Sequence, residues 1–67
     1  MSTELKSHAQ GVTLTRFFGG SDRGVCVQVT VDQGAAQFEH VQLTRAQAAA
    51  LAADLLDFAQ GREVEDV

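Results

Sequence analysis

The sequence predicts an α+β domain, a three-stranded antiparallel meander sheet with one C-terminal helix packed on one face, in the order β-β-β-α. Three observations carry this. Residues 11–19 and 24–31 alternate apolar and polar side chains with period two. Short glycine-bearing segments separate these stretches from each other and from a weaker third one. Beyond Leu43 the apolar residues recur at helical spacing behind a helix-start signature.

Residues 1–10 are polar and aperiodic, and are expected to form a flexible N-terminal arm. Residues 11–19 (GVTLTRFFG) set Val12, Leu14, Arg16 and Phe18 on one side and Thr13, Thr15 and Phe17 on the other. β-Branched and aromatic residues dominate, as a strand requires. Residues 24–31 alternate more cleanly, with Val25, Val27, Val29 and Val31 on one face and Cys26, Gln28 and Thr30 on the other. The intervening GGSDR has hairpin length. Asp32-Gln33-Gly34 is expected to be the second turn, and residues 36–43 (AQFEHVQL) the third strand.

Register follows from bringing like faces together. Phe18 opposite Val25 places Leu14 against Val29 and Val12 against Val31. A short loop at Gln33-Gly34 then sets Val31 opposite Ala36, Val29 opposite Phe38, Val27 opposite His40 and Cys26 opposite Val41. Both hairpins agree on one buried face: Val12, Leu14, Phe18, Val25, Val27, Val29, Val31, Ala36 and Phe38. A one-residue slip would bring Gln37 and Glu39 inside instead.

Thr44 followed three residues later by Gln47 is a capping box, in which two side chains satisfy otherwise orphaned backbone donors. Ala48, Leu51, Ala52, Leu55, Phe58 and Ala59 then form an apolar stripe. Gln47, Ala50, Asp54 and Asp57 lie opposite. Gly61 suits the helix C-terminus, and Arg62 suits the negative end of its dipole. The helix is expected to lie across the valine face. The domain thus covers residues 11–61, and residues 62–67 form an acidic C-terminal tail.

Composition narrows the function. Sixty-seven residues make one domain, and 45% hydrophobic with 21% charged residues is ordinary for a soluble chain. No apolar run nears the ~20 residues of a membrane-spanning helix. The first ten residues lack the apolar segment of a signal peptide, and the single cysteine fits a reducing compartment, so the expected location is cytoplasmic. Five basic against nine acidic residues give a net charge of -4, unlike a phosphate-backbone binder.

The residues offer little for catalysis. Cys26, His8 and His40 are the only soft ligands, fewer than a structural zinc site takes. The expected register puts His40 and Cys26 on opposite faces, so neither a metal nor any other cofactor is expected. No base is evident to activate Cys26 as a nucleophile. Asp54 and Asp57, with Glu63, Glu65 and Asp66, read as a solvated acidic face or a docking face for a basic partner. The glycines of FFGGSDRG lead into a strand rather than a helix N-terminus, unlike a phosphate-binding loop. The chain is therefore read as a non-enzyme.

Contact surfaces are the better candidates. The expected register leaves Phe17, Cys26 and Val41 as an apolar row on the outer face, rimmed by Thr15, Gln28 and Thr30, as a protein-contact patch would be. The alternatives are that the arm covers this row, or that a bulge turns Val41 inward. Residues 45–59 hold seven alanines, which allow a second helix to approach closely but also simply favour helix. A chain below ~70–80 residues rarely gets much stability from its own core, so a homodimer is expected.

FFGGSDRGVCVQVTV followed by FEHVQLTRAQAAALAADLLDFA resembles small uncharacterised accessory proteins of tailed phages and prophages of high-GC bacteria. In these, a hairpin with a glycine-rich turn precedes a VQLT-type strand end and an Ala/Leu-rich helix. The resemblance spans residues 12–60. It implies an accessory role: binding a larger host protein, such as a defence component, and inhibiting or redirecting it. It assigns no functional residue.

The sequence thus points to an acidic protein-binding module with Phe17, Cys26, Val41, Asp54 and Asp57 as contact residues. The alternatives are a nucleic-acid accessory protein using Arg16, Arg23 and Arg45, and a purely structural homodimer.

Overall fold

The computed structural model describes residues 2–62, in which β1 (Thr3–Leu5), β2 (Val12–Phe18), β3 (Val25–Gly34), β4 (Gln37–Thr44) and α1 (Arg45–Ala59) follow one another. The strands form one antiparallel sheet in the order β1-β2-β3-β4. Residues 63–67, most of the expected tail, lie outside the described residues.

The valine pattern decides the centre of the sheet. β2 and β3 pair with Phe18 opposite Val25, Leu14 opposite Val29 and Val12 opposite Val31, the register that like faces require. The N-terminal arm corrects the strand count. Instead of remaining loose, Thr3, Glu4 and Leu5 pair with Arg16, Thr15 and Leu14, making a fourth strand at the sheet edge.

The second hairpin departs from expectation by three residues. β3 continues through Asp32 and Gln33 to Gly34, and the turn falls at Ala35-Ala36. Both alanines have positive φ, 52° and 60°, the paired left-handed geometry of a hairpin turn matched to strand twist. Asp32 stabilises the irregularity before it, its Oδ1 accepting the Gly34 amide at 2.8 Å. Val41 consequently lies opposite Val29, Leu43 opposite Val27 and Thr44 opposite Cys26. A shift by an odd number exchanges the faces of the whole strand. Val41 and Leu43 join the valines, while Phe38 and His40 move to the other side.

That other side is polar, as a solvated antiparallel face is. Gln42 Nε2 donates to Gln28 Oε1 across the strands at 3.1 Å, and Gln28 Nε2 donates to Thr30 Oγ1 at 3.4 Å.

The helix starts as its sequence requires. Thr44 Oγ1 accepts the Gln47 amide at 3.2 Å, and Gln47 Oε1 accepts the Thr44 amide at 2.9 Å. It ends in a left-handed Gly61, with the Arg62 amide bonded to the Asp57 carbonyl and the Gly61 amide to that of Phe58. This is the paired closure of a Schellman motif. The Arg62 guanidinium adds an ion pair to Asp57 at 3.2 Å.

What the helix does not do is cover the sheet. It touches β3 and β4 but neither β1 nor β2, and no residue along it is buried. The reason is the connection: β4 ends at Thr44 and α1 begins at Arg45, so no loop residue turns the helix back over the valine face. The radius of gyration is 13.6 Å, against about 11 Å for a compact chain of this length.

The turn supplies a test. Left-handed geometry costs a non-glycine residue roughly 1–2 kcal/mol, so Ala35→Asn with Ala36→Gly is expected to stabilise the protein by about 1 kcal/mol. Urea unfolding at fixed protein concentration should show a higher midpoint with an unchanged slope. An unchanged or lower midpoint would disprove the turn assignment.

Candidate functional site

One described residue is buried: Cys26, at 2% exposure. The hairpin loop after β2 closes over it. The Gly19 amide donates to the Gly24 carbonyl at 2.7 Å, and the Cys26 thiol points to the same carbonyl at 3.6 Å. A side chain at position 19 would not fit, because its Cβ would stand 2.7 Å from Cys26 Sγ and 3.3 Å from Arg23 Cβ. The glycine-rich loop is therefore a lid on one thiol.

This rearranges the expected contact row. Phe17 and Cys26 are paired neighbours on the polar side of the sheet, Phe17 half-buried and Cys26 enclosed. Val41 is on the opposite face, half exposed at 51%. The three do not form one surface. His40 now shares the face of Cys26, but sits four residues along β4 from Thr44, the partner of Cys26, roughly 13 Å away. Among the described residues no group of three or more His, Cys, Asp or Glu is placed to hold a metal ion. Asp54 is exposed, and Asp57 is half-buried beside Arg62.

The dominant surface feature gathers three residues expected as core, Leu14, Val27 and Val29, with Leu5, Val41 and Leu43, which were not expected there. Leu5, Leu14, Val29 and Val41 form a row across all four strands, each directly opposite the next. Arg16, Val27 and Leu43 make the adjoining row. Every residue of both rows is half-buried or exposed, so the face is an open apolar platform. The helical stripe is open too: Leu51, Leu55 and Phe58 are 38%, 57% and 68% exposed. Where platform and helix meet, a cleft of about 210 Å³ is lined by Leu5, Val25 and Val27 from the sheet and Ala48 from the helix, with Arg16 and Arg45 at its sides.

The chain matches no protein-family model, no curated protein and no solved structure with which it was compared. The site must be read from its own chemistry. Single exposed apolar residues are ordinary on a protein surface, whereas here the exposed apolar residues are contiguous across the strands. Among the described residues no helix is long and apolar enough to cross a membrane.

The loop packing gives a second test. Gly19→Ala is expected to cost about 1–3 kcal/mol by overpacking and to speed labelling of Cys26 by a thiol reagent. Adding Cys26→Ala should recover much of the stability. Wild-type labelling and stability in Gly19→Ala would mean that the loop does not enclose the thiol.

Proposed function

We propose that the protein is a small, non-enzymatic protein-binding module that self-associates and docks on a larger bacterial protein, which it inhibits or redirects. One observation carries the reading. With a single buried side chain among the described residues, apolar surface stays open on both the sheet and the helix, more than the fold itself uses. The acidic balance, a net charge of -4, and the exposed carboxylate of Asp54 favour a partner with a basic surface. The resemblance to phage and prophage accessory proteins supports a host protein as that partner and the bacterial cytoplasm as the location. With the platform occupied by self-association, the surface left for the host protein is the polar sheet face with Phe17 and Phe38, together with the acidic side of the helix.

The test is affinity capture from a bacterial lysate at moderate salt, with Phe38→Asp as control. Phe38 is 57% exposed, so this substitution leaves the fold intact, as circular dichroism would verify. A stoichiometric protein partner retained by the wild type and lost by Phe38→Asp is expected. Capture of nucleic acid in place of protein would overturn the reading.

Arg16 and Arg45 flanking one cleft favour a second reading, a nucleic-acid accessory protein, with Arg23 as the third cation. Three phosphate contacts to duplex DNA would give a slope of about -2.7 in log affinity against log salt, roughly a 40-fold loss between 50 and 200 mM. A mobility-shift titration is expected to show no such complex. A shift with that salt dependence would favour the second reading.

A further inference from the structure

We infer that the open platform is filled by the helix of a second copy of this chain, the two copies exchanging helices about a two-fold axis. This rests on the reading of the protein as a self-associating module and names the surfaces that meet.

Four observations lead there. First, the two open surfaces are complementary layers. An antiparallel sheet with one apolar and one polar face needs a layer over the apolar one, and an amphipathic helix needs a face to bury its stripe against. Each chain carries one of each and brings them together only at the cleft beside Ala48. Second, the connection keeps them apart. Thr44 is at once the last residue of β4 and the N-cap of α1, with φ -75° and ψ 170°, so the helix leaves the sheet without a turn. Connections between a strand and a helix packed back on it ordinarily take 2–6 residues.

Third, the dimensions agree. Fifteen helical residues make about 22 Å, and four strands at a spacing of about 4.8 Å make a platform roughly 15–20 Å across. The stripe from Phe58 through Leu51, Leu55 and Ala48 to Ala52 covers about 120° of the helix, wide enough for a sheet face and wider than a two-helix seam. Fourth, the area agrees. The chain exposes 5564 Å², about 1,500 Å² more than a compact monomer of its mass. Permanent homodimers bury from about 2,000 Å² in total, or 1,000 Å² per copy. Covering the excess on each copy makes an interface of that class.

Reciprocity follows from symmetry. An isologous dimer uses the same patch twice, so two helix-on-sheet contacts form together.

Disulfide trapping in full-length protein tests this, with Cys26→Ser as the cysteine-free background and circular dichroism confirming its fold. Light scattering across a dilution series should give a dimer. Val29→Cys and Leu55→Cys are then introduced singly, the two proteins are mixed under subunit exchange, and the mixture is oxidised. A cross-linked dimer in the mixture, at least tenfold above either protein alone, is expected. Cross-linking of Leu55→Cys with itself would show helix pairing, and of Val29→Cys with itself sheet-face pairing. A dimer with no cross-link would show pairing through strand edges. Each of these, or a monomer at every concentration, overturns the proposal. A monomer that still captures a host protein would sink the helix exchange and leave the binding module standing; a trapped dimer that captures none would do the reverse.

Discussion

The openness of this structure follows from the junction at Thr44. One residue ends the outer strand and caps the helix, its hydroxyl and amide both engaged with Gln47. The capping box fixes the direction in which the helix leaves, because the first turn is anchored to the strand that precedes it. A loop of a few residues here would let the helix swing over the valines and complete a two-layer domain. Its absence keeps the layers apart and turns what the pattern marks as interior into surface.

The energetic consequence is a chain that spends its regular hydrogen bonding on strands and helix but obtains little from burial. Among the described residues Cys26 is the one enclosed side chain, and a glycine-rich loop encloses it. The valines gain partial shelter from their neighbours along the sheet, but none loses contact with solvent. Burial of apolar area is the dominant favourable term in folding, and the described residues obtain little of it within the chain. The polar face, tied by Gln28 and Gln42, needs no such cover.

Legibility in the sequence followed the strength of local rules. The valine alternation determines the register of β2 on β3, and Thr44, Gln47 and Gly61 mark both ends of the helix through fixed chemistry. The second hairpin was not legible because two registers satisfy the same criterion: Ala36 and Phe38 can face the valines, and so can Val41 and Leu43. Gln33-Gly34 carries the stronger turn signal, and a turn of two left-handed alanines announces itself in no residue preference. β1 escaped notice because a three-residue edge strand has no periodicity to detect. The row of Phe17, Cys26 and Val41 dissolved with that register. The open platform was legible only in part: Leu14, Val27 and Val29 belong to the expected face, whereas Leu5 was assigned to a loose arm and Val41 to the outer row. The adjacency of the strand end and Thr44 was the available sign, since helix periodicity says which side is apolar and nothing about where the axis points.

The single enclosed thiol bears on how such a chain can change over generations. Where a domain has a packed interior, volume and shape at many positions hold its sequence in place. Here the fold asks mainly for a pattern: alternation along the strands, a stripe on the helix, a cap, and a glycine beside Cys26. Many sequences meet that description. Few positions are then held by volume from inside the molecule, so much of the sequence can change while the outline of the fold stays the same.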